Sequence, residues 1–124
     1  MKQKIIFFLF PFYFFYAEIF AQPSKIKVAC IGNSVTYGYG LKDPATESYP
    51  AQLQNMLGGK YEVKNFGHSG ATLLRKGHNP YFETKEFTGA INLIPDIAII
   101  HLGLNDTDPR DWNNYSNDFR NDYS

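Results

Sequence analysis

Three short stretches of the chain hold residue types that can do chemistry together. Ser34 closes a tight Gly32-Asn33-Ser34 turn at the head of the segment GNSVTYGYG. Gly70 lies in Ser69-Gly70-Ala71-Thr72, and Asn105 lies in Gly103-Leu104-Asn105-Asp106. Attack of a hydroxyl on an ester carbonyl needs a nucleophile, a base, and donors for the oxyanion that develops. A serine in such a turn can present its hydroxyl. A glycine leaves its backbone N–H open to approach, because no side chain blocks it. An asparagine adds a side-chain amide donor. Each residue alone is an ordinary turn residue, so the weight falls on their joint placement.

That placement depends on the elements before them. Ile26 to Ile31 (IKVACI) is a β-branched, apolar run that predicts a buried strand. Ser48 before Tyr49-Pro50 predicts a helix start. Tyr49, Leu53, Met56 and Leu57 then form an apolar stripe at helical spacing, ended by Gly58-Gly59. Tyr61 to Lys64 predicts a second strand, and residues 65–72 (NFGHSGAT) a loop of small and polar residues. Gly77, Asn79 and Pro80 mark a turn, and residues 88–94 predict a short helix stopped by Pro95. Asp96 to Leu102 (DIAIIHL) predicts a parallel strand covered on both faces. Trp112, Tyr115, Phe119 and Tyr123 predict one amphipathic helix running to residue 124. The order β-α-β-α-β-α implies a parallel sheet with right-handed crossovers. In such sheets chemistry sits beyond the carboxyl ends of the strands, where all three unusual loops fall.

Composition narrows the classes. Twelve Lys and Arg balance twelve Asp and Glu, which speaks against an electrostatic nucleic-acid binder. Hydrophobic residues at 44% and charged residues at 19% fit a globular chain. The first residues need separate treatment. Met1 to Lys4 is a short basic stretch, and residues 5–17 are an apolar run interrupted by Pro11. A spanning helix needs about 20 apolar residues, so residues 1–21 read as a signal peptide cut after Ala21, with an uncleaved anchor as the alternative. Export to the periplasm or the cell exterior is expected, with no stable membrane insertion after cleavage. The single cysteine, Cys30, excludes a disulfide framework and reads as a buried, inert thiol.

Taken together, IGNSVTYG (Gly32, Asn33, Ser34), NFGHSGAT (Asn65, Gly70) and LGLND (Gly103, Asn105, Asp106) resemble the blocks of the SGNH, or GDSL-type, hydrolase family. Order, strand context and spacing agree, with 36 residues from Ser34 to Gly70 and 35 from Gly70 to Asn105. The resemblance covers nearly all of residues 25–124. It implies a three-layer α/β/α, flavodoxin-like sandwich, here truncated to about three parallel strands. Residues 22–124 would then be the N-terminal portion of an esterase domain. By resemblance, Ser34 is the nucleophile, and the Ser34 N–H, the Gly70 N–H and the Asn105 amide form the oxyanion hole.

Two departures from the family pattern stand out. Asn33 replaces the family's usual aspartate, and both residue types make the same local turn. The family's Asp-x-x-His block, which supplies the base and its orienting acid, has no counterpart. Of the histidines, His68 lies nearest to Gly70 but shows no acid at a family position. His78 reads as a surface loop residue and His101 as a packed or sheet-facing one. GNSVTYGYG lacks the lysine of a phosphate loop. Asp106, Asp108 and Asp111 lack the glycine and glutamate of an EF-hand and read as a solvated acidic loop. No Cys/His set has zinc spacing, and neither a metal nor a cofactor is expected. SYPAQLQ, NFGHSGATLL, GHNPY and LGLND resemble bacterial carbohydrate O-acetylesterases, including those called sialate O-acetylesterases. The expected substrate is therefore a small-molecule or glycan ester. A lysophospholipase- or thioesterase-like hydrolase is the alternative, and a non-catalytic remnant or glycan-binding fragment is the alternative from another class.

Overall fold

The computed structural model describes residues 24–124; the expected signal peptide lies outside them. Three strands form one parallel sheet in the order β2-β1-β3, with β1 at Ile26–Gly32, β2 at Tyr61–Gly67 and β3 at Ile97–His101. The register pairs Gly32 with Gly67 on one side and with His101 on the other. One row across the sheet therefore ends all three strands, and the three loops leave from the same edge.

Helices cover both faces, and β2 shows how. Successive strand residues point to opposite faces. A Cβ built on Gly67 would fall on the backbone of Thr36 and Tyr37, which belong to α1 (Ser34–Tyr37). The preceding Phe66 instead packs against Gly89 of α4 (Lys85–Leu93). The first face also carries α2 (Pro44–Glu47) and α3 (Tyr49–Leu57), the latter packed on β2. This is the expected α/β/α layering. After β3 come α5 (Pro109–Tyr115), a 3₁₀ turn and α6 (Phe119–Tyr123).

The core runs along β1, where Val28, Ala29 and Cys30 are buried, and continues through Ala71, Leu74, Tyr81 and Ala90. Burial pushes the Cys30 thiol above its ordinary pKa, against a smaller opposing effect of its hydrogen bond with Tyr49. A protonated, enclosed thiol is a poor nucleophile. Ellman's reagent should leave native Cys30 unmodified at pH 8 and titrate one thiol in denaturant. Rapid reaction of the native chain would contradict this packing. Tyr81 is also buried, and its hydroxyl donates to the Phe66 carbonyl at 2.6 Å. Burial first, and the nearby Glu86 carboxylate second, hold it well above the ordinary tyrosine range.

At Gly67 the sheet meets the backbone of α1. A methyl group there has backbone for a neighbour, not a flexible side chain. Overpacking commonly costs about 1–3 kcal/mol, and this site should lie at the upper end. Gly67→Ala is expected to lower the denaturation midpoint markedly. An unchanged midpoint would mean that α1 is not seated on β2.

Four local expectations need correction. The stripe on α3 is incomplete, because Met56 is 83% exposed; the helix is tied to β2 by Gln54, whose side-chain oxygen accepts the Val63 N–H at 2.8 Å. β2 runs three residues beyond Lys64, since pairing with β1 continues through Asn65, Phe66 and Gly67. The final amphipathic segment is two helices, not one. It breaks at Ser116–Asp118, residue types that compete with helical backbone bonding. Its aromatics still pack, with Trp112 edge-on to Phe119 at 5.7 Å. Finally, β3 is apolar but exposed along its whole length, Ile97, Ile99 and Ile100 included. It pairs with β1 on one side only, and no described element covers its outer edge.

Candidate active site

Ser34 is the first residue of α1, and Asn33 is its N-cap. The Asn33 side-chain oxygen accepts the Val35 N–H at 3.0 Å, the local turn that Asn and Asp share. The Ser34 carbonyl accepts the N–H groups of Gly38 and Tyr39, and Gly38 closes the helix at φ +92°. The turn is anchored to both neighbouring strands. Asn33 N–H donates to the His101 carbonyl at 3.3 Å, and His68 N–H donates to the Gly32 carbonyl at 2.9 Å. Asn33 is fully buried, and its side-chain NH₂ has no partner among the described residues.

Gly70 sits in a turn closed by the Ala71 N–H on the His68 carbonyl. Its φ is +80°, a left-handed conformation that costs a glycine little. A Cβ there would meet the Asn79 amide at 3.4 Å, an ordinary contact, so the backbone angle and not crowding favours glycine. Among the described residues neither the Ser34 N–H nor the Gly70 N–H makes a hydrogen bond.

Asn105 opens a 3₁₀ turn after β3. One N–H of its side-chain amide donates to the Ala71 carbonyl at 2.8 Å, which ties the third loop to the second. Asp106 is fully buried and accepts the N–H groups of Leu73 at 2.9 Å and Leu74 at 2.6 Å. Asp111, also buried, accepts the His78 N–H at 2.9 Å and pairs with His78 Nδ1 at 2.6 Å. The expectation of a solvated acidic loop is therefore wrong for Asp106 and Asp111, whose carboxylates are enclosed and take backbone donors. Asp108 alone fits it better: hydrogen bonds from Arg110 lower its pKa to about 2.

The histidines are also better anchored than the sequence implied. His68 Nδ1 lies 2.9 Å from a Glu86 carboxylate oxygen, so an acid does face it, from the first turn of α4. His78 is exposed, as expected of a surface loop residue, but Asp111 holds its ring. His101 is exposed at the end of β3. Among the described residues none of the three hydrogen-bonds to Ser34 Oγ. The sequence reading missed Glu86 and misjudged Asp106 and Asp111, because their partners lie 18 to 33 residues away.

Two clefts open elsewhere. One of about 280 Å³ lies between α2, α3 and β2, and one of about 160 Å³ between the sheet, α4 and α6. Neither is lined by Ser34, Gly70 or Asn105. No described helix is long and apolar enough to cross a membrane, and no three His, Cys, Asp or Glu side chains among the described residues are placed to hold a metal ion.

Residues 30–121 match the GDSL-like Lipase/Acylhydrolase family. The chain belongs to that family. As a GDSL-like acylhydrolase it is 48% identical over 101 residues to an acetylxylan esterase of Xylanibacter ruminicola. That alignment covers 82% of this chain and 21% of the relative, so the chain spans about a fifth of the relative's length. A solved structure, that of the SGNH-hydrolase family esterase AlinE4, is 26% identical, with a TM-score of 0.45 over 69% of this chain and 44% of AlinE4.

Proposed function

We propose that the chain carries the nucleophile and oxyanion hole of an exported carbohydrate O-acetylesterase. In this reading Ser34 attacks the acetyl carbonyl. The Ser34 N–H, the Gly70 N–H and the second N–H of the Asn105 amide receive the negative charge that develops on its oxygen. The observation that carries the reading is the register: Gly32, Gly67 and His101 share one row, so all three loops leave one edge of the sheet. Two backbone N–H groups without partners and one anchored amide fit a preorganised oxyanion site, which gains by needing no rearrangement during reaction.

Membership of an acylhydrolase family supports ester hydrolysis, and the acetylxylan esterase relative supports a short acyl group on a carbohydrate. A long-chain acyl substrate has less support, because neither cleft reaches Ser34. Removal of the first 21 residues as a signal peptide belongs to the same reading and suits a polymeric glycan met outside the cytoplasm. The direct test is covalent: in the chain joined to a segment that carries the family's Asp-x-x-His block, a fluorophosphonate probe should modify Ser34, and peptide mapping should find the adduct there. An adduct on Ser69 would overturn the assignment.

A further inference from the structure

Between β2 and α4 the chain forms a loop with a closed neck. Thr72 N–H donates to the Asn79 carbonyl at 2.8 Å, and Tyr81 N–H donates to the Thr72 carbonyl at 2.9 Å. Gly70 and Ala71 lie just before this neck. Carboxylates from the segment after β3 hold nearly everything inside it. Asp111 takes His78, Asp122 accepts the Arg75 N–H at 2.9 Å, and Asp118 meets Lys76 Nζ at 2.9 Å. Asp106 takes the N–H groups of both Leu73 and Leu74.

Asp106 differs from the others in its place. It directly follows Asn105, whose amide holds the Ala71 carbonyl. One dipeptide thus makes three hydrogen bonds to the four residues that follow Gly70. We propose that Asp106 is a positioning residue: its carboxylate fixes Leu73 and Leu74, and so sets the spacing between the Gly70 N–H and the Asn105 amide. This rests on the oxyanion-hole reading above. The two donors come from different loops, and among the described residues these bonds join the loops next to both donors. A carboxylate suits the task because it accepts at both oxygens. An asparagine of the same shape would turn an NH₂ donor toward one of the two N–H groups. Small displacements matter here, since a shift of about 1 Å in a reacting geometry can cost about 10²-fold in rate.

The test uses the whole chain, with amide hydrogen exchange by NMR and the kinetics of Ser34 inactivation by a fluorophosphonate. In the unmodified chain the Leu73 and Leu74 amides should exchange as slowly as those of β1. Exchange as fast as an exposed loop overturns the proposal without any variant. In Asp106→Asn the Gly70 amide and Asn105 side-chain signals should move while β1 and β2 signals stay. The maximal inactivation rate should fall about 10- to 100-fold, with the probe concentration for half-maximal rate unchanged. Asp118→Ala, which removes an exposed ion pair on the same loop, should change neither. A loss of labelling that only follows the unfolded fraction, or unmoved Gly70 and Asn105 signals, overturns the proposal. If Asp106→Asn does not fold, Asp106→Glu, which displaces the carboxylate by one methylene, is read the same way. Should Ser34 of the unmodified chain label too slowly to follow, as a serine without a base can, the kinetics are read on the chain joined to the family's Asp-x-x-His block, where absent labelling overturns the oxyanion reading. The NMR signals alone then decide whether Asp106 sets the two groups.

Discussion

Ser34→Ala should abolish fluorophosphonate labelling while the chain still folds. Ser34 lies at the start of α1, and the Asn33 side chain, not the serine hydroxyl, caps that helix. The hydroxyl makes no hydrogen bond among the described residues that its loss would break. The backbone bonds of Ser34, through its carbonyl to Gly38 and Tyr39, survive in alanine. Loss of labelling with an unchanged denaturation midpoint would therefore report chemistry and not collapse. Asn105→Ala tests the oxyanion hole more severely. Removing one such donor typically slows turnover about 10²- to 10³-fold, and the same slowing of probe reaction is expected here. The substitution has a second effect, because Asn105 also holds the Ala71 carbonyl. Losing that bond should cost about 1 kcal/mol of stability, so rates must be compared on folded protein. Persistent labelling in Ser34→Ala, or unaltered reactivity in Asn105→Ala, would remove these residues from the proposed roles.

The layering was legible in the sequence because its signals are local. β1 announces itself by a β-branched run, and α3 by Tyr49-Pro50 at one end and glycines at the other. Parallel order follows from the alternation of strand and helix, and the central place of β1 agrees with β2-β1-β3. Where the reading failed, the deciding partner was distant. Asp106 and Asp111 looked like solvated acids because their donors, Leu73, Leu74 and His78, lie more than thirty residues earlier. His68 seemed to lack an acid because Glu86 comes forward only once α4 crosses its face of the sheet. The reverse error occurs at β3. Its apolar run fits a strand covered on both faces, yet burial depends on what packs against it, and the described residues supply no outer neighbour. An apolar edge of this kind is open to pairing with other chains. The three loops that carry the proposed site residues were legible as a set, because turn residues of the right type followed each strand. Their mutual anchoring, Asn105 to Ala71 and Asn33 to His101, was not.

The residues described here should hydrolyse p-nitrophenyl acetate only slightly above background, even with the proposed oxyanion hole in place. A serine hydroxyl is a weak nucleophile until a base takes its proton, and general-base help is worth about 10²–10⁴ in rate. Among the described residues no histidine hydrogen-bonds the hydroxyl, and two are engaged by carboxylates. His68 turns its Nδ1 to Glu86 on the α4 face, while Gly67 beside it faces α1, the helix that Ser34 begins. His78 is pinned by Asp111. His101 contributes its backbone carbonyl to Asn33. His68→Ala and His78→Ala should therefore leave the residual rate unchanged. In triad enzymes stripped of their base, the oxyanion hole and binding leave about 10³–10⁴ over water, a rate visible with an activated aryl ester and very low with a sugar acetate. Joining the chain to a segment that carries the family's Asp-x-x-His block should then raise Ser34-dependent turnover by several orders of magnitude. The decisive comparison is turnover of the 124-residue chain with and without His68. Strong, Ser34-dependent hydrolysis that vanishes in His68→Ala would place the base on β2's loop, with Glu86 as its orienting acid, and would make a further block unnecessary for the chemistry.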